Sequence, residues 1–251
     1  MGQIIAIVNQ KGGVGKTTTA VNLTAALTEQ GKTVLLCDFD PQANASSGLG
    51  IDRKKKAKSI YDVIINGVSP SEVWVKTKFG WVLPASNALA GAAVELIGLD
   101  DREHILKKAL EPLREQYDYI FIDCPPSLEL LTINGLCAAD GILIPVQCEY
   151  YALEGLSDLM STLRAIKHRV NPTLNIYGVL LTMYDGRTNF SAQVAQEVRR
   201  HFPGKVFQNA IPRNVRLAEA PSHGLPVCAY DRSSRGAISY AALAEEIIRK
   251  G

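Results

Sequence analysis

Five short runs of nearly unbroken apolar residues punctuate the chain, at 4–8, 33–37, 119–122, 141–144 and 176–181. None shows the in–out alternation of a half-exposed strand. Continuous apolarity over four to six residues is what a parallel strand looks like when both faces are covered. The intervening segments carry a different period. Leu106, Ala109, Leu110 and Leu113 recur at helical spacing, as do Leu153, Leu156, Leu159, Leu163 and Ile166. The first helical stretch runs to about Gln30 and is closed by Gly31, and Pro172 follows the 153–166 stretch as a stop signal. Strands alternating with helices predict an α/β fold, a mostly parallel twisted sheet with helices on both faces. There is no internal repeat, low-complexity tract or flexible linker, so residues 1–251 are expected to form a single domain.

Between the first strand and the first helix lies Lys11-Gly12-Gly13-Val14-Gly15-Lys16-Thr17-Thr18. Gly12, Gly13 and Gly15 allow the backbone to wrap closely around phosphate oxygens. The amides of such a turn, with the start of the helix behind them, form a positive-ended anion site. Lys16 is placed to reach β- and γ-phosphates, and the Thr17 hydroxyl to ligate Mg²⁺. The run therefore reads as the P-loop of an ATP-binding protein. It departs from the usual G-x-x-x-x-G-K-[ST] pattern, because Gln10 stands where the first glycine would fall and a second lysine, Lys11, follows it. The second apolar strand ends in Cys37-Asp38-Phe39-Asp40-Pro41-Gln42, and the third in Asp123-Cys124-Pro125-Pro126-Ser127. Carboxylates at the C-terminal ends of parallel strands lie where such sheets bind ligands. Asp123 reads as a Walker B aspartate, holding Mg²⁺ directly or through water.

The run K-G-G-V-G-K-T-T is the deviant Walker A signature and resembles that of the ParA/MinD/nitrogenase-iron-protein group, whose members are ATP-dependent dimers. The resemblance implies that Lys11 reaches across a nucleotide-sandwich homodimer to the other subunit's phosphates, where a second cation stabilises transition-state charge. It implies that Asp40 positions or polarises the attacking water, that Asp38 sits near the metal shell, and that the 123–127 segment is a second switch. Three further segments, at 145–155, 181–188 and 211–222, resemble Soj-type ParA, so the similarity spans essentially the whole chain. By the same resemblance Pro212 and Asn214 flank the adenine base. Arg187 and Arg216 contribute to nonspecific DNA binding by the ATP dimer. The implied function is an ATPase, weak alone and stimulated by a ParB-type partner, that drives chromosome or plasmid DNA partition. The resemblance also allows a replication initiator as a further partner. The alternative is a ParA-like ATPase that positions a protein cargo or organelle.

Composition narrows these readings. The formal net charge is only +2, yet residues 187–235 hold eight arginines and lysines against three carboxylates. Such local clustering, rather than bulk charge, suits a phosphate backbone. The few aromatic residues in this segment do not interleave regularly with the cations, so base stacking is not indicated. A second basic run, 52–58, reads as a solvated loop or a weak nucleic-acid contact. The five cysteines form no C-x-x-C pair, and their odd number without a signal-like N-terminus points to a reducing cytoplasm, with nucleoid association implied by DNA binding. No run of about 18 apolar residues is present. The 241–251 segment carries acids on its polar face and few bulky anchors, unlike the basic membrane-binding helix of MinD. The first strand begins near residue 3, which leaves no room for the operator-binding helix-turn-helix of the large plasmid ParA proteins.

Overall fold

The fold is taken from a computed structural model that describes residues 1–52, 58–149 and 152–250, with the backbone alone at 152–158. The basic run at 53–57 and the pair Tyr150-Tyr151 lie outside the described residues. Seven strands form one sheet: β1 (Gln3–Ile7), β2 (Val34–Asp38), β3 (Val75–Thr77), β4 (Gly80–Leu83), β5 (Tyr119–Asp123), β6 (Gly141–Gln147) and β7 (Asn175–Thr182). Their spatial order is β3-β4-β2-β5-β1-β6-β7, and every pairing is parallel except β3 with β4. The five strands expected from apolar runs are all present. The additional pair β3–β4 is a short hairpin in which Val75, Lys76 and Thr77 form an antiparallel edge.

The two-sided burial of the central strands follows from the period of two along each strand. Ile4 and Ala6 of β1 enter one core with Leu35 and Cys37 of β2, while Ile5 and Ile7 enter the other with Leu36. The first core is covered by helices Ile105–Leu110, Leu130–Ala138, Ala152–Arg169 and Asn189–His201. The second is covered by helix Lys16–Glu29, through Ala20, Leu23 and Leu27, and by helix Arg235–Lys250, through Tyr240, Leu243 and Ile247. The helical spacing from Leu106 to Leu113 is not one helix. An α-helix ends at Leu110 and a 3₁₀ turn spans Glu111–Leu113. Pro112 lacks the N–H that an α-helix would need there. Gly31 terminates the Lys16–Glu29 helix at φ +82°, a conformation that favours glycine.

The strand order positions the site. The chain passes from β1 to β2 by way of helix Lys16–Glu29, and β5 later inserts between them. On the other side β6 and β7 continue away from β1. A crevice therefore opens at the carboxyl end of β1, the place where open α/β sheets bind ligands.

Candidate active site

The turn after β1 begins with Asn9, whose Nδ2 donates to the Pro145 carbonyl at 2.8 Å and whose Oδ1 accepts from the Lys11 N–H at 3.0 Å. Gly13 and Gly15 stand at φ +74° and +91°, a region open to glycine at no steric cost. A Cβ added at Gly12 or Gly13 would meet nothing within 4 Å, so both glycines border open space. Thr182, the last residue of β7, donates its hydroxyl to the Val14 carbonyl at 2.8 Å. Asn22 donates to the Thr18 carbonyl at 2.8 Å and accepts from the Val227 N–H at 2.7 Å. Asn9, Thr182 and Asn22 brace the turn from three directions, and none of them carries a signal in the local sequence pattern.

Lys16 opens the helix and folds back over the turn, its Nζ donating to the Lys11 carbonyl at 3.1 Å. Burial pulls the Lys16 ammonium below its ordinary pKa, while the charges of Asp123, Cys124 and Asp40 act in the opposite direction. The two strand-end carboxylates are neighbours, because Asp38 of β2 pairs in register with Asp123 of β5, and Asp123 in turn with Ile7 of β1. Asp38 is fully buried and accepts from the Ser46 N–H at 2.7 Å and its hydroxyl at 2.6 Å. Burial pushes its carboxyl up to about 6, against those hydrogen bonds. Asp123 is also fully buried, and both of its oxygens lack a well-formed hydrogen bond. Thr17 comes close enough to favour ionisation without completing one, and burial, reinforced by Asp38, raises the Asp123 pKa well above the carboxylate range. Asp40 is buried, and its Oδ1 accepts from the Gln42 N–H at 2.9 Å.

A buried carboxylate without a well-formed hydrogen bond, beside a first-turn threonine, is a site short of positive charge. Among the described residues no three His, Cys, Asp or Glu side chains converge to hold a metal. The donor set therefore fits a hard cation that arrives with oxygen ligands of its own, as Mg²⁺ does on phosphates.

Beside the turn lies a cavity of ≈ 350 Å³ with mainly apolar walls, among them Thr18, Met183, Pro212, Asn214, Leu217 and Tyr240. The structure thus brings Pro212 and Asn214 to the cradle. They are held by a continuation of β7: Ile211 donates to the Leu181 carbonyl at 2.8 Å and Tyr184 to the Ile211 carbonyl at 3.0 Å. Asn214 is also the N-cap of helix Val215–Glu219, accepting from the Arg216 N–H at 2.9 Å. Met183 has φ +50°, an uncommon conformation for a non-glycine residue and one that marks the cavity wall as constrained.

Lys11 is engaged by Glu149, just past β6. Its Nζ lies 3.6 Å from Glu149, which also stands 3.6 Å from Arg213 and accepts from Gln147. Arg187 is exposed and bidentate to Asp185, at 2.9 and 2.8 Å. Arg216 is paired with Glu219 at 2.8 Å and Asp231 at 3.2 Å.

A family model described as "AAA domain" matches residues 2–176. The sporulation initiation inhibitor protein Soj of Bacillus subtilis is 54% identical, over all of both chains. The chromosome-partitioning ATPase Soj of Treponema pallidum is 49% identical, over all of this chain and 98% of that one. The chain belongs to the ParA/Soj family of chromosome-partitioning ATPases. A solved structure of cobyrinic acid a,c-diamide synthase from Mycobacterium smegmatis, with bound ADP and magnesium, matches this family member with a TM-score of 0.87. That match is at 40% identity and covers 99% of this chain and 95% of that one. Among the described residues of this ParA/Soj chain no helix is long and apolar enough to cross a membrane.

Proposed function

We propose that this chain is an ATP-dependent dimerising switch that binds DNA nonspecifically and drives DNA partition together with a ParB-type partner, acting in the cytoplasm on the nucleoid. The observation that carries the reading is the pairing of a signature lysine held by Glu149 with a glycine turn bordering open space and a buried Asp123 that lacks a well-formed hydrogen bond. The synthase-named neighbour shares the fold at lower identity than the Soj proteins, which favours partition over amide ligation.

Bound Mg-ATP supplies the phosphoryl group to be transferred and a divalent charge beside it. The amides of residues 12–18 and the start of helix Lys16–Glu29 bind the phosphate oxygens. Lys16, already folded over the turn, neutralises charge on the β- and γ-phosphates, and its lowered proton affinity is restored by that anion. Thr17 and Asp123 hold the cation's shell, with Asp38 behind them braced by Ser46. Asp40 orients water at the γ-phosphate. The cavity walled by Pro212, Asn214 and Tyr240 receives the base. Lys11 leaves Glu149 when a second copy arrives and crosses to the other cradle, so the catalytic charge is complete only in the dimer. Cations supplied across an interface in this way accelerate phosphoryl transfer by roughly 10³–10⁵ in other nucleotidases.

Dimerisation also doubles the phosphate contacts offered by the basic 187–235 segment, Arg187 and Arg216 included. Because affinity multiplies across linked sites, ATP becomes a DNA-affinity switch. The test is retention on DNA at one fixed salt concentration with Mg-ATP, with Mg-ADP and without nucleotide. Retention confined to Mg-ATP supports the reading, and equal retention in all three conditions refutes it.

A further inference from the structure

The C-terminal helix Arg235–Lys250 lies outside the 2–176 segment matched by the family model and carries none of the signature residues. One face of it nevertheless grips both halves of the cradle. Tyr240 walls the cavity, and its hydroxyl is 3.1 Å from the Thr19 hydroxyl on the helix behind the glycine turn. Six residues on, Glu246 is almost wholly buried, unusual for a glutamate, and holds the segment that leads to Pro212 and Asn214.

The need for Glu246 follows from the path of that segment. Residues 205–207 run along β7, with Phe207 donating to the Val179 carbonyl at 2.9 Å, and the chain rejoins β7 at Ile211. Between these points it leaves the strand, and the N–H groups of residues 208 and 209 need other acceptors. Glu246 supplies them. Its carboxylate accepts from the Gln208 N–H at 2.9 and 3.1 Å, from the Asn209 N–H at 3.1 Å and from Asn209 Nδ2 at 2.9 Å. Burial alone would raise the Glu246 pKa, but these donors and Lys250 outweigh it and hold the carboxyl below its usual value. Lys250 lies 3.5 Å from Glu246 and 4.2 Å from the ring centroid of Phe207, closing the cluster. A carboxylate accepting several backbone donors fixes their positions closely. Two residues further on, the same backbone enters the cavity.

We propose that Glu246 is a positioning residue for the nucleoside: it fixes the 208–214 loop against the C-terminal helix and so sets how strongly the base end of the nucleotide is held, without acting on the phosphates. The proposal rests on the reading of the cavity as the base site. It predicts that the adenosine part of ATP, and not the triphosphate part, loses affinity when the cluster is broken.

The test compares dissociation constants of Mg-ATP and of magnesium tripolyphosphate for the wild-type chain and for Glu246→Gln, Asn209→Ala and Leu243→Ala. Glutamine keeps the shape but replaces one acceptor oxygen by a donor facing backbone N–H groups. Leu243→Ala weakens the same helix from the core and removes none of the hydrogen bonds made by Glu246. In the wild type, Mg-ATP should bind more tightly than tripolyphosphate. That ratio should fall at least tenfold in Glu246→Gln and about threefold in Asn209→Ala, with tripolyphosphate affinity unchanged within threefold. In Leu243→Ala the ratio should stay at the wild-type value. An unchanged ratio in Asn209→Ala and Glu246→Gln overturns the proposal, as does a parallel loss for both ligands. If Glu246→Gln does not fold, Asn209→Ala decides alone. A wild-type chain that binds Mg-ATP no better than tripolyphosphate removes the base-site reading itself, and the proposal with it.

Discussion

The hydrogen bond from Thr182 to the Val14 carbonyl ties the glycine turn to the last residue of β7, across 168 positions of sequence. Replacing Thr182 by Val keeps the branched shape, including the γ-methyl that lies 3.7 Å from where a Cβ on Gly15 would sit, and removes only the hydroxyl. Both residues are buried, so the carbonyl cannot readily take a water instead. Removing one net hydrogen bond at such a site costs about 1 kcal/mol, and up to about 3 kcal/mol if the carbonyl stays dry and unpaired. A loss of about 1.4 kcal/mol shifts the balance between docked and undocked turns tenfold. Apparent affinity scales with the docked fraction, so a loss of that size weakens binding at most about tenfold, and less where the docked turn still dominates. The expected result is a two- to tenfold rise in the dissociation constants of Mg-ATP and Mg-ADP alike, because the cradle holds phosphates common to both. Urea unfolding of the nucleotide-free chain should show a loss of about 1 kcal/mol with an unchanged m-value. Calorimetric titration and urea curves on the same preparation provide both readouts. Wild-type affinity together with wild-type stability would refute the reasoning, and so would a loss confined to ATP.

Asp123→Asn should raise the stability of the magnesium-free, nucleotide-free chain by about 1–3 kcal/mol at neutral pH, since it removes a buried carboxyl that folding must either protonate or leave charged without a well-formed hydrogen bond. With Mg-ATP at a hundred times its Kd the wild type should gain about 2.7 kcal/mol and the variant far less, inverting the ranking in thermal unfolding. Glu149→Gln releases Lys11 and Arg213 from an exposed pair, so stability should move by less than about 0.5 kcal/mol while ATP-dependent association strengthens. Weaker association in crosslinking would contradict the assignment of Lys11. Arg187→Ala and Arg216→Ala should each lower the slope of log DNA affinity against log salt by about 1 for every phosphate left without its cation, with Mg-ATP affinity unchanged. An unchanged slope measured by filter binding removes that residue from the DNA surface.

What could be read from the sequence was local. The five buried strands were legible because burial on both faces leaves an uninterrupted apolar run, and the cradle because its glycines and lysines are contiguous. The β3–β4 hairpin was not: Val75-Lys76-Thr77 is short and mixed in polarity, and its partner begins at a glycine with φ +125°. Pro112 is visible in the sequence, yet the apolar spacing on either side of it imitates one continuous helix. Lys16, Thr17, Asp38 and Asp123 could be assembled because each ends a strand or opens a helix at one edge of a parallel sheet. The braces could not. Asn9, Asn22, Thr182 and Tyr240 act through partners that adjoin them only once the chain is folded, Thr19 and Tyr240 being 221 positions apart. The register that sets Asp38 beside Asp123 depends on strand order, which no local pattern encodes.

With Lys11 held by Glu149, the proposed switch needs a second chain to complete the charge at each cradle. Sedimentation equilibrium of the wild-type chain without nucleotide, with Mg-ADP and with Mg-ATP tests this most directly. The expected species is a monomer in the first two conditions and a dimer in the third. A chain that binds Mg-ATP yet stays monomeric, or keeps one oligomeric state in all three conditions, would contradict it.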